Sequence, residues 1–147
     1  MICLNNSNYS NCITNSNACT ENKRRFEIVG AAKVEQQNLL RAKVDDCIYN
    51  SSHNIKRCDY IFELKDVFSC FIELKGKHIR DAVEQLESSL QNFLVSGKKH
   101  AFVVASKNEF PNAKTERQKL ERMFKTKYDT SFDMKNVLMS KSINELK

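Results

Sequence analysis

A chain of 147 residues is the length of one domain and is enough to bury a core without staples. Apolar residues make up 41% and charged residues 29%, the balance of a soluble globular protein, and no run approaches the 18 apolar residues of a membrane span. The net charge of +6, with a pI near 9.0, favours an anionic partner, and nucleic acid is the commonest for such a domain.

Residues 1–22 are rich in Asn, Ser and Thr and almost uncharged. They read as a flexible polar leader ahead of a single domain over residues 23–147. The N-terminus is not basic and then apolar, so it does not read as a secretory signal, and the cytoplasm is the expected address. Six cysteines do not change that expectation. Cys47, Cys58 and Cys70 fall within predicted strands, where free cysteine acts as a small apolar residue. Cys3, Cys12 and Cys19 match no zinc-knuckle spacing, so reduced structural thiols are expected.

Phe26 to Val29 is a short predicted strand, and Leu39 to Tyr49 alternates loosely as a second. Ala31 to Asn38 between them reads equally as a helical turn or a hairpin connection. Cys58 to Leu64 and Phe68 to Lys75 are the next two strands. His78 to Leu94 is the clearest helix, because Ile79, Ala82, Val83, Leu86, Leu90, Phe93 and Leu94 recur every three or four residues. Ala101 to Ala105 is a continuous apolar run, as in a buried central strand. Lys114 to Tyr128 predicts a second helix, and Phe132 to Met139 a last strand. The order is β-β-β-β-α-β-α-β, an α/β (α+β) fold with a central mixed sheet flanked by helices.

The chemistry is concentrated between Lys56 and Leu86. If the two middle strands close as a hairpin through Lys65-Asp66-Val67, Leu64 faces Phe68 and Asp59 faces Glu73. One side of the hairpin then carries Tyr60, Phe62, Leu64, Phe68, Cys70, Ile72 and Leu74. The other carries Asp59, Ile61, Glu63, Ser69, Phe71, Glu73 and Lys75. Two carboxylates about 5 Å apart repel by about 3 kcal/mol at an effective dielectric near 20. Lys75 offsets part of that repulsion, and a hard divalent cation would offset the rest. Such a cation lowers the pKa of a bound water and stabilises charge on a scissile phosphate. Lys75 is then placed to orient or deprotonate the water.

Asp59 followed by Glu73-Leu74-Lys75 resembles the D…ExK signature of the PD-(D/E)XK nuclease superfamily, the restriction endonuclease-like and Holliday-junction resolvase-like enzymes. The likeness covers roughly residues 43–105. It implies a restriction endonuclease-like core, with Asp59, Glu73 and the backbone carbonyl of Leu74 holding Mg²⁺ or Mn²⁺ and Lys75 assisting catalysis. Gln85 falls on the following helix, where many members place a polar residue facing the site. Departures are Cys58 in place of a proline before Asp59, and Ser89 where some exonuclease-like members have tyrosine.

Further candidates stand around this motif. Asp45 and Asp46 precede it, and Asp46 or Asp45 is a candidate to support the metal from the neighbouring strand, although a solvated strand end explains the pair too. Glu35 is a candidate for the helix-borne acid of many members. Lys77, His78 and Arg80 open the long helix, where cations oppose the helix dipole, and a bound phosphate would account for them. The expected function is metal-dependent hydrolysis of DNA phosphodiester bonds, with a homodimer as one arrangement for cutting two strands. The alternative is a catalytically inactive module of the same fold that binds nucleic acid or a protein partner in a regulatory or immunity role.

Overall fold

The computed structural model describes residues 1–74, 78–106 and 113–147. Its strands and helices, in chain order, are β1 (Ile2–Cys3), a 3-10 turn (Ser7–Cys12), β2 (Ile13–Asn15), β3 (Ala18–Glu21), β4 (Arg24–Val29), α1 (Lys33–Asn38), β5 (Leu40–Lys43), β6 (Tyr60–Leu64), β7 (Phe68–Glu73), α2 (Ile79–Asn92), β8 (Phe93–Leu94), β9 (Lys98–Ala105), α3 (Ala113–Tyr128), β10 (Thr130–Asn136), β11 (Leu138–Ser142) and α4 (Ile143–Leu146). The fold is mixed α/β. A six-stranded mixed sheet runs in the order β10-β9-β7-β6-β5-β2, and a three-stranded sheet in the order β11-β4-β3. β7, β9 and β10 run parallel, whereas β7, β6, β5 and β2 alternate in direction. No helix among the described residues is long and apolar enough to cross a membrane.

The β6–β7 turn sets the register of the large sheet. Its three residues include Asp66 at φ +64°, a left-handed conformation that aspartate tolerates better than most residues. Val67 N–H donates to the Leu64 carbonyl at 2.9 Å, and Leu64 pairs with Phe68. Gly97 lies against this turn, and its position admits no side chain. Its φ is +78°, and a Cβ there would stand 2.4 Å from the Val67 carbonyl oxygen.

Alternation along β6 and β7 then divides two cores. Phe62, Leu64, Phe68, Cys70, Ile72 and Leu74 pack toward the three-stranded sheet and α4, against Phe26, Ile28, Met139, Ile143 and Leu146. Ile61 and Phe71 pack on the other face with Ala82, Leu86 and Leu90 of α2 and Phe124 of α3. β7 is buried along its whole length because helices cover one face and a second sheet the other. Phe124 stacks on Phe132 of β10 at 5.0 Å, and Tyr128 donates to Glu87 at 2.8 Å, joining α3 to both the sheet and α2.

Residues 1–22, expected as a flexible leader, are built into the fold. β2 forms an edge of the large sheet against β5, β3 pairs with β4, and Leu4, Cys12 and Cys19 are buried. The polar composition that suggested a loose leader serves as hydrogen-bonding material. The Asn15 amide donates to the Gln36 and Leu39 carbonyls at 2.7 Å each, and the Asn17 amide to Ile28 at 3.0 Å. The stretch left open at Ala31–Asn38 contains α1. The predicted strand to Tyr49 ends at Lys43, so Cys47 lies in the loop that follows, and Cys58 precedes β6. The last predicted strand is two, β10 and β11, broken at Val137 with φ +71°.

The expectation of reduced thiols is corrected at one pair. Cys12 and Cys47 form a disulfide across 35 residues, with their Cα atoms 5.6 Å apart. It ties the 3-10 turn to the loop between β5 and β6. Cys3, Cys19, Cys58 and Cys70 are free, the last three buried, and burial pushes the Cys19 thiol up to about 12. Closing a loop of that length restricts the unfolded chain, so Cys12→Ser should cost about 2–4 kcal/mol. Urea titrations of oxidised wild type and Cys12→Ser will measure it; superimposable curves would show that the crosslink contributes nothing.

Candidate functional site

The β6–β7 ladder ends at Tyr60 opposite Ile72, and Asp59, one residue earlier, lies at the same end of the sheet as Glu73 without being its partner in the ladder. Asp59 is held through its backbone: its N–H donates to the Ile72 carbonyl at 3.0 Å, and its carbonyl accepts from Val44 at 2.9 Å. Its carboxylate accepts the Leu74 N–H at 2.7 Å, turning the side chain toward the end of β7. The two acids are 4% and 0% exposed, which matters because burial makes carboxylates dependent on hydrogen-bonding or cationic partners.

Gln85 reaches this pair from α2. With its amide nitrogen toward the sheet, it donates to Glu73 Oε2 at 3.0 Å and to the Asp81 carbonyl at 3.3 Å. The same helix is fastened to the segment before Asp59 by Ser89, whose hydroxyl accepts the Cys58 N–H at 2.8 Å. The Cys58 thiol beside the two acids is driven well above the ordinary cysteine range, by burial first and by Glu73 and Asp59 further. It is therefore a protonated packing group.

Asp59 opens onto a cavity of about 180 Å³ that is also lined by Glu21, Lys43, Asp45 and Asp46. Asp46 is exposed, in a left-handed turn at φ +61°. Asp45 pairs with Arg57 at 2.9 Å, and Arg57 is pinned in turn by the carbonyls of Asn50, His53 and Ile55. A second cavity of about 300 Å³ shares Asp45 and is lined by His53, Lys56, Arg57 and Gln85. Two cavities with Asp45 in common thus lie beside Asp59 and Gln85.

Glu21 is the residue that sequence reasoning missed. It sits at the end of β3, in the segment set aside as a leader, and a lone glutamate there gave no signal. Glu35 lies elsewhere, beside Leu64 at the other end of β6, where Lys147 binds it at 2.6 Å. His78 is the N-cap residue of α2. Arg80 is largely exposed and 3.7 Å from Glu84, which also pairs with Lys56. Lys75 and Lys77 lie outside the described residues.

Oxygen donors of this kind suit a hard cation such as Mg²⁺, which is commonly bound through one or two carboxylates, with water completing its shell. Asp59 and Glu73 are donors of that class, since an ionised carboxylate has several acceptor positions. Among the described residues, no group of three or more His, Cys, Asp or Glu side chains is gathered closely enough to form a metal cluster. No family model, no curated protein and no solved structure matches the chain.

Proposed function

We propose that this chain is a divalent-metal-dependent nuclease of the PD-(D/E)XK type that hydrolyses DNA phosphodiester bonds. The observation that carries the reading is that Asp59 and Glu73 are both buried at one end of the β6–β7 hairpin, with Gln85 of α2 donating to Glu73. Stability alone does not favour two carboxylates gathered in a buried place. The succession α1, β5, β6, β7, α2, β9 supports the reading too, since it follows the helix, three-strand, helix, strand order of a restriction endonuclease-like core.

In this mechanism Asp59, Glu73 and the Leu74 carbonyl would hold the ion, and Asp46 would be a further donor at the cavity. When bound, Mg²⁺ supplies Lewis acidity toward the scissile phosphate and a more acidic water. Gln85 fixes the rotamer of Glu73 by donating to one oxygen. Lys75 orients or deprotonates the attacking water, and Lys77, His78 and Arg80 bind the phosphates that flank the bond.

The test is incubation of the chain with single-stranded, duplex and branched DNA in Mn²⁺ or Mg²⁺, with and without EDTA. Cleavage that stops on chelation is expected, and Lys75→Ala should abolish it while calorimetric metal binding persists, because lysine is not a ligand. DNA binding without cleavage under every condition would turn the assignment to an inactive module of the same fold. Neither binding nor cleavage would leave a protein-binding, regulatory role.

A further inference from the structure

His100 is a buried imidazole that the proposed nuclease site does not use. Glu73 pairs with Val103 and Cys70 with His100, so His100 stands three residues along β9 and on the other face of the sheet. The ring is 8% exposed, parallel to Phe102 at 5.9 Å and edge-on to Phe68. Both of its nitrogens are engaged. Nε2 lies 2.8 Å from the Leu146 carbonyl of α4, and Nδ1 lies 2.5 Å from the Ser131 hydroxyl.

The direction of these bonds follows from their chemistry. A carbonyl can only accept, so Nε2 carries the proton and donates it to Leu146. Burial lowers the pKa of His100 and keeps the ring neutral, which leaves a lone pair on Nδ1. Ser131 must therefore donate its hydroxyl proton to Nδ1. A serine hydroxyl donating to a neutral imidazole whose far N–H is fixed by an acceptor is the polarity of an activated nucleophile. A serine placed only to satisfy a buried histidine would have no need of solvent access. Ser131 is exposed on the edge strand β10, directly across from His100 in the β9–β10 register.

Ser131 also stands where two cavities meet. The first, about 480 Å³, is lined by Phe102 and Phe132 and by two ion pairs, Arg117 with Glu121 and Lys141 with Asp133. The second, about 620 Å³, adds Lys98, Lys99 and Lys125. The two cavities leave room beside Ser131 for a small substrate.

We propose that Ser131 is a nucleophile, with His100 as its general base and the Leu146 carbonyl as the group orienting that base, in a second site that takes small carboxylic esters. Ser131 Oγ bonds to the ester carbonyl carbon as its proton passes to Nδ1. The bond to the leaving alcohol then breaks, and the Nδ1 proton goes to the departing oxygen. Water attacks the acyl-serine with His100 again accepting a proton. The Oγ–acyl bond breaks, the acid is released and the proton returns to Ser131, so the sum is ester plus water to acid plus alcohol.

The test is covalent labelling of the full chain with a fluorophosphonate, in which an Oγ–phosphorus bond forms, fluoride leaves and the proton passes to His100. Mass spectrometry should find one adduct, on Ser131, forming about 100-fold faster than on the urea-unfolded chain, the smaller end of what general-base assistance gives. 4-Nitrophenyl acetate should release a burst of one nitrophenolate per chain. Ser131→Ala changes an exposed side chain and should fold but lose both signals; Glu73→Gln should keep both. His100→Asn should label at the rate of the unfolded chain while retaining a native circular-dichroism spectrum. Labelling of wild type no faster than of the unfolded chain, or unchanged in Ser131→Ala, overturns the proposal. Wild-type labelling rates in His100→Asn overturn the role of the base. If His100→Asn does not fold, the wild-type and unfolded rates decide.

Discussion

Glu73→Gln should leave the protein folded and reduce metal-dependent DNA cleavage by about 100-fold or more. The substitution removes one charge with almost no change of shape. Glu73 is fully buried and accepts from Gln85, and a glutamine at that position still offers a carbonyl oxygen to the same donor. The lost charge is what a hard cation requires. Several kcal/mol of transition-state stabilisation depend on such an ion, and each 1.36 kcal/mol is a factor of ten in rate. Calorimetry with Mn²⁺ and single-turnover cleavage read the two losses separately. A variant that binds Mn²⁺ as wild type does and cuts at the wild-type rate would remove Glu73 from the mechanism.

The part of the fold that frames this site was legible because local rules dictate it. A three-residue turn after Leu64 leaves one register, and that register decides which of Ile61–Phe71 and Tyr60–Ile72 face each core. The α2 stripe was legible for a similar reason, since Ala82, Leu86 and Leu90 repeat at the helical period and all are buried. β9 was visible as an apolar run because sheet neighbours and both layers enclose it.

Much of what escaped depends on contacts distant in sequence, and the rest on left-handed turns at residues that rarely adopt them. β2 and β3 are three and four residues long and carry Thr, Asn and Glu, so their pairing with β5 and β4 has no periodic signature. The Cys12–Cys47 bridge joins a 3-10 turn to a loop 35 residues later, and no spacing rule selects that pair from six cysteines. Glu21 enters the acidic cavity from the end of the β3–β4 hairpin, whose two-residue turn at Asn22 and Lys23 is left-handed at both positions without the glycine that usually marks such a turn. The break between β10 and β11 rests on Val137 in a left-handed conformation, which a β-branched residue rarely adopts. Ser131 and His100 are ordinary residues in sequence, and only the parallel pairing of β9 with β10 brings them together.

Leu86→Ala should destabilise the protein by about 2–5 kcal/mol, the range for deleting a buried leucine side chain and leaving a cavity. Leu86 is 0% exposed and belongs to the core shared by α2, α3, β6 and β7, with Ile61 and Phe71 beneath it. Room for collapse is limited, because Phe124 stacks rigidly on Phe132 and α2 is pinned at Ser89 to Cys58. The chain has no tryptophan, so far-ultraviolet circular dichroism in urea is the suitable probe. An unchanged midpoint would contradict the packing of α2 on the sheet. The neighbouring position gives the same helix its second task, because Gln85 projects from this turn to Glu73. Gln85→Ala should differ from Leu86→Ala in kind: a smaller loss of stability, about 1–3 kcal/mol for an acid deprived of its donor, and a loss of cleavage that persists under fully folded conditions. Leu86→Ala, assayed well below its urea midpoint, should cut at nearly the wild-type rate, since its effect is on how much protein is folded. If instead both variants lose cleavage in proportion to their loss of stability, α2 acts only as a support and Gln85 has no part in the chemistry.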